Sequence, residues 1–195
     1  MKILVLDTET TDKPPKISLL PGTVDFWPSI VQISFILLDD TTYKYTSYDY
    51  VIKTSRPIEN SHIHGITKSM NTVRGYDFAD IYAIYTLCIQ QADLVIGHNL
   101  SFDLNMIRAE CYRNKVEYVA PRLTYCTMMS TRYVCNLPNH KWPTLRELHL
   151  ALFQEEATQL HNSLKDCLVC LRCYLYLMSG VDLLDKHKGI YNLQL

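Results

Sequence analysis

The chain has 195 residues, 48% apolar and 20% charged, a balance that suits one globular domain, read here as residues 1–195, with a core of its own. No stretch approaches the roughly eighteen apolar residues of a membrane helix, and the short apolar run before Asp7 and Glu9 does not read as a secretory signal, so a soluble, intracellular protein is expected. The net charge of −1 argues against a protein that grips long nucleic acid through a basic stripe, because phosphate neutralisation supplies most non-specific affinity.

In chain order, Lys2 to Thr8 reads as a buried strand of β-branched and leucine residues. Lys13 to Pro28, rich in proline and glycine, reads as a loop or hairpin excursion. Ile30 to Asp39 and the tyrosine-rich Tyr43 to Thr54 read as two strands joined through Asp40-Thr41-Thr42. Asn60 to Met70 reads as a loop with a short helical turn, and Tyr76 to Gln91 has helical spacing. A short strand, Asp93 to Gly97, leads into a helix over Ser101 to Asn114, and Leu123 to Cys126 reads as another strand. Thr144-Leu145-Arg146-Glu147 has capping-box spacing and opens a helix. Ser163 to Ser179 is the last long helix, stopped by Gly180, and the tail after Val181 has room for one more turn. Strands first and helices alternating later predict an α/β fold, with a mixed central sheet and helices on its faces.

Seven cysteines, an odd number with no export signal, point to reduced thiols. Cys167, Cys170 and Cys173 form CxxCxxC, but no matching knuckle offers a fourth ligand, so they read as core thiols.

The acids carry more information. Asp7 and Glu9 stand two apart on a strand, which places both on one face of the sheet. Two acids on one face of an apolar strand repel each other and resist burial; they also make a bridge for divalent cations. Asp103 falls in the first turn of its helix, where acids are common for dipole reasons alone, but that turn lies where a strand end meets a helix start. His161 and Asp166 are five apart and would diverge on one helix; with the helix starting at Ser163, His161 can lean back toward Asp166. Asp166 alone also fits a capping box with Ser163, and His161 alone fits an exposed loop. Together, four acids and one histidine suit phosphodiester hydrolysis. Two Mg²⁺ held by carboxylates would activate water and stabilise the leaving oxygen, and a histidine would take the proton.

At these residues the chain resembles the DnaQ-like DEDDh 3′–5′ exonucleases. The matching motifs are Asp7-Thr8-Glu9-Thr10-Thr11, Asn99-Leu100-Ser101-Phe102-Asp103 and His161-Asn162-Ser163-Leu164-Lys165-Asp166, with a softer similarity at His64-Gly65-Ile66-Thr67. The resemblance runs from near residue 1 to about 170 and implies a ribonuclease H-like three-layer α/β fold as one exonuclease domain. It implies that Asp7, Glu9, Asp103 and Asp166 hold two Mg²⁺, with Mn²⁺ as a substitute, and that His161 is the general base. Thr8, Glu9 and Thr10 would meet the 3′-terminal nucleotide, Asn99 and Phe102 would lie against it, and His64 and Ile66 would line the pocket for its base. The implied partner is a single-stranded 3′ end, of DNA by preference or of short RNA. A separate polymerase chain is a candidate partner, since a proofreading role needs one.

The chain departs from that pattern at Asp12-Lys13-Pro14-Pro15, where the family often has glycine. Lys141 and Arg146 are candidates for phosphate contact or ordinary solvated charges. Tyr43, Tyr45, Tyr48 and Tyr50 are candidates for base stacking or for packing on their strand.

Overall fold

Lys2–Thr10 forms strand β1, the centre of a five-stranded sheet in the computed structural model, which describes residues 1–158, 160–180 and 182. It is joined by β2 (Ile30–Asp39), β3 (Tyr45–Val51), β4 (Leu94–Gly97) and β5 (Thr124–Cys126), in the spatial order β3-β2-β1-β4-β5. The β1–β2 and β2–β3 pairings are antiparallel, and β1–β4 and β4–β5 are parallel, so the sheet is mixed as expected.

The helices are α1 (Ser61–His64), α2 (Lys68–Arg74), α3 (Phe78–Gln91), α4 (Leu100–Asn114), α5 (Thr127–Ser130), α6 (Leu145–Phe153) and α7 (Ser163–Ser179). Both faces of β1 are covered, which is why Ile3 to Leu6 is an unbroken apolar run instead of an alternation. Leu4 and Leu6 pack with Phe35, Tyr85 and Met106 under α3 and α4. Ile3 and Val5 pack with Ile36, Cys167, Cys170 and Leu171 under α7. The outer side of α7 takes Leu148 of α6 against Val169 and Cys173. Truncating any of these fully buried side chains to alanine should cost about 2–5 kcal/mol. The thiols of CxxCxxC are therefore core groups on α7, all buried.

The tyrosines of the second hairpin strand are packing residues. Tyr48 stacks on Phe35 at 4.7 Å, and Tyr43 and Tyr45 lie against the α7 cluster. β3 is shorter than the expected Tyr43 to Thr54, because Tyr43 takes a left-handed φ of 55° in the turn that Asp39 closes through Thr41 and Thr42 N–H. The loop of residues 13–28 contains a 3-10 helix, Pro21–Phe26. Arg113 donates to the carbonyls of Val24 and Trp27, and Arg56 to those of Asp25 and Trp27, so the excursion is tied back to the fold. Asn60 to Met70 holds the whole of α1 and the start of α2, not a single turn. The turn expected after Val181 lies outside the described residues. Among the described residues, no helix is long and apolar enough to cross a membrane.

Candidate active site

Three separate segments deliver the acids to one place. Asp7 and Glu9 continue the face of β1 that bears Ile3 and Val5, so they point toward α7. A register shift between Glu9 and Thr10 ends regular pairing with β2 just past them. Across the β1–β2 ladder, Asp7 faces Ser34 and Glu9 faces Gln32. Those two polar residues dock the start of α7. Ser34 Oγ lies 2.6 Å from Ser163 Oγ, and Gln32 Oε1 accepts from Ser163 N–H at 3.3 Å. Both are oriented by Asp49, which accepts from Ser34 Oγ at 2.8 Å and Gln32 Nε2 at 2.7 Å. The first turn of α7, with Asp166, is thereby fixed above the acids of β1.

Asp103 arrives from the other side of the sheet. β4 ends at Gly97, where a Cβ would stand 3.1 Å from the Leu6 carbonyl and 2.9 Å from Leu100 Cδ1, so any side chain here would crowd β1 and the start of α4. Asn99 then turns the chain through a left-handed conformation, φ 65°, and α4 begins. Asp103 is 2% exposed, and its Oδ1 accepts from Thr8 N–H (2.9 Å) and Thr8 Oγ (2.8 Å). This lock between α4 and β1 goes beyond the dipole preference of an acid at a helix start.

Asp166 is not a capping residue. The cap of α7 is Asn162, whose side chain accepts from Lys165 N–H, and Asp166 Oδ2 instead accepts from His161 N–H at 3.1 Å. His161 has a left-handed φ of 75°, which bends the turn back over the helix start. Glu9, His161 and Asp166 each present a ligand atom, all within 4.8 Å of one another.

The electrostatics are those of uncompensated acids. Burial, then repulsion from Asp103, Asp166 and Glu9, pushes the Asp7 carboxyl well above its ordinary range. Burial, then Asp166 and Asp103, raises Glu9 to about 8. Burial also raises Asp103, offset in part by the Thr8 hydroxyl and N–H, and raises Asp166, offset by the His161 N–H. Among the described residues, Asp166 Oδ1 is buried without a hydrogen-bond partner. An all-oxygen carboxylate set with an orphaned oxygen fits hard divalent cations, which would remove the repulsion and satisfy that oxygen.

A cavity of about 580 Å³ opens over these groups. Of the residues singled out in the sequence, Asp7, Thr8, Glu9, Asn99, Phe102, Asp103, His161, Asp166 and Arg146 line it. Thr10, His64 and Ile66 are buried and lie outside its lining. The Ile66 N–H donates to His64 Nδ1 at 3.1 Å, and burial lowers the His64 pKa. Lys141 is drawn to Glu147 at 2.6 Å and does not line the cavity.

Sequence reasoning missed His98, Thr144, Leu145 and Leu160 in the lining. His98 Nε2 lies 2.9 Å from the Pro143 carbonyl, and a carbonyl only accepts, so this nitrogen carries the proton. Burial lowers its pKa to about 4, so the ring is neutral and Nδ1 accepts from Thr127 Oγ at 3.0 Å. His98 thus pins the turn before α6 to the end of β4. Gln32 and Ser34 were also missed. Their signal was two polar residues at alternate positions in the apolar run of β2.

The family comparison agrees with the geometry. The exonuclease family model (RNase_T) matches residues 4–174. Among solved structures, the nuclease domain of 3′hExo, a DEDDh family member, bound to rAMP, matches with a TM-score of 0.61 at 14% identity over 92% of each chain, a likeness of fold. No curated protein sequence matches the chain. With a family match across most of its length and the mixed, helix-flanked sheet of a ribonuclease H-like nuclease, the chain belongs to the exonuclease family.

Proposed function

We propose that the protein is a metal-dependent 3′–5′ exonuclease that hydrolyses single-stranded nucleic acid, DNA by preference, and releases nucleoside 5′-monophosphates. The observation that carries the proposal is the convergence of Asp7, Glu9, Asp103 and Asp166 with His161 in one cavity, where an acid oxygen stays unpartnered. In this reading the four acids hold two Mg²⁺, for which Mn²⁺ substitutes. When bound, such ions would lower the pKa of water and stabilise the departing 3′ oxygen. His161 takes the proton of the attacking water; its backbone N–H bond to Asp166 fixes the turn that carries it. Thr8, Asn99 and Phe102 receive the terminal nucleotide, and the buried Thr10, His64 and Ile66 support the base pocket from beneath the cavity lining. The half-buried Phe102 ring offers a surface for a sugar or base. Arg146 is exposed on the cavity wall and meets a phosphate. A separate polymerase chain is the partner that a proofreading role would require.

The alternative is an exoribonuclease acting on short RNA. It is favoured by one observation: the similar nuclease domain binds a ribonucleotide, rAMP. Matched DNA and RNA oligonucleotides, labelled at the 3′ or the 5′ end and offered with Mg²⁺, test both readings. Early release of labelled mononucleotide from the 3′-labelled strand is expected, faster for DNA. Faster release from RNA would replace DNA with RNA, and release from the 5′ label first would overturn the direction.

A further inference from the structure

The segment of residues 127–146 carries a feature that the cleavage reading does not use. It holds Arg132, Lys141 and Arg146 and no acid, in a chain of net charge −1. Within it, Tyr133 is 72% exposed and Trp142 is 53% exposed. The Arg132 guanidinium bridges them, 5.8 Å from the tyrosine ring centroid and 5.7 Å from the indole centroid. Its Nε donates to the His140 carbonyl, and the His140 ring lies 5.5 Å from Tyr133. Single exposed rings are ordinary; here two exposed rings share one guanidinium and form a single aromatic and cationic patch.

The patch is continuous with the cavity. Pro143, the residue after Trp142, is tied to His98 at 2.9 Å, and Thr144, Leu145 and Arg146 line the cavity itself. Trp142 therefore stands at most about 7 Å along the chain from the cavity wall. Lys141 is engaged by Glu147, while Arg132 and Arg146 make no ion pair among the described residues.

We propose that this ledge binds the nucleotides upstream of the scissile bond, an inference that rests on the exonuclease reading. Bases stack on Tyr133 and Trp142, and Arg132 and Arg146 meet the phosphates between them. Aromatic stacking beside scattered cations is how proteins hold single strands without reading sequence. A polyanion leaving an acid-lined cavity is drawn toward a rim where Arg132, Lys141 and Arg146 outnumber the one neighbouring acid, Glu147, so nucleic acid fits this ledge better than an acidic or apolar protein surface does. The arrangement also gives a near-neutral chain a local grip on its polymer.

The experiment uses the two tryptophans. Trp27 is 6% exposed and serves as a constant background, so a change in emission reports Trp142. The protein is titrated with single-stranded oligothymidylate in Ca²⁺, and saturable quenching is expected. In parallel, the ratio of kcat/KM for the oligothymidylate to that for a dinucleotide is measured in Trp142→Ala and Tyr133→Ala. Each should lower the ratio about tenfold, and Trp142→Phe should restore most of it. No quenching, with an unchanged ratio, overturns the ledge and assigns the face to a protein partner, while dinucleotide hydrolysis leaves the exonuclease reading standing. Saturable quenching in a protein that cleaves no oligonucleotide supports the ledge and sinks the exonuclease reading instead.

Discussion

Glu110 and Asp166 are both buried acids, and the fold treats them in opposite ways. Glu110 is 6% exposed, but Arg113 lies 2.8 Å away and the Ile30 N–H donates to the same oxygen at 3.0 Å. Among the described residues Asp166 makes no ion pair, keeps one oxygen unpartnered and faces three further acids. The first arrangement is structural: it fastens the 13–28 loop and the start of β2 onto α4. The second is unfavourable until something positive arrives. The position of a buried acid therefore says little about its role; its compensation says a great deal.

The largest effect should separate the two sets in activity. Asp103→Asn keeps an oxygen for the Thr8 donors, so the protein should fold, yet kcat should drop by at least about three orders of magnitude. A variant retaining wild-type turnover with Mg²⁺ would remove Asp103 from the reaction. The second effect should appear in stability. Arg113→Met strands Glu110 and frees the Val24 and Trp27 carbonyls, and should cost about 3 kcal/mol in denaturant unfolding while leaving kcat near wild type. A stable Arg113→Met protein would show that the pairing of Glu110 carries no weight, and the contrast drawn here would fail.

His161→Ala should lower kcat about a hundredfold. A base must be unprotonated to accept a proton, so the rate should rise with pH in the parent and lose that rising limb in the variant. A profile of the same shape in both proteins would assign the base elsewhere.

The smallest effect concerns pH and metal. Glu9 is raised to about 8, and the three aspartates are raised as well, from unfolded values of about 4. Between those limits the folded state binds more protons than the unfolded one. The stabilising contribution is whole below about pH 4 and is lost as pH rises through about 8. Metal-free protein should therefore melt a few degrees lower at pH 8.5 than at pH 6, and Mg²⁺ should raise Tm more at the higher pH. An equal Mg²⁺ shift at both values would detach the ion from these acids.

Much of this was legible in the chain itself. Apolar runs and period-two alternation located β1, β2 and β4, and helical spacing located α3, α4 and α7, because those signals depend only on neighbours along the backbone. The motifs around Asp7, Glu9, Asp103, His161 and Asp166 were also local, but that these residues line one cavity only the packing decided. Local spacing could not say that Asn162 caps α7, because the Ser163 hydroxyl is drawn away by Ser34 of β2. Nor could it place His98 and Arg146 on the cavity wall or withdraw Lys141 to Glu147. Periodicity sets which side of an element a residue occupies. Only packing between distant segments, through contacts such as Asp103 with Thr8 and Gln32 with Ser163, sets how far apart two such residues stand.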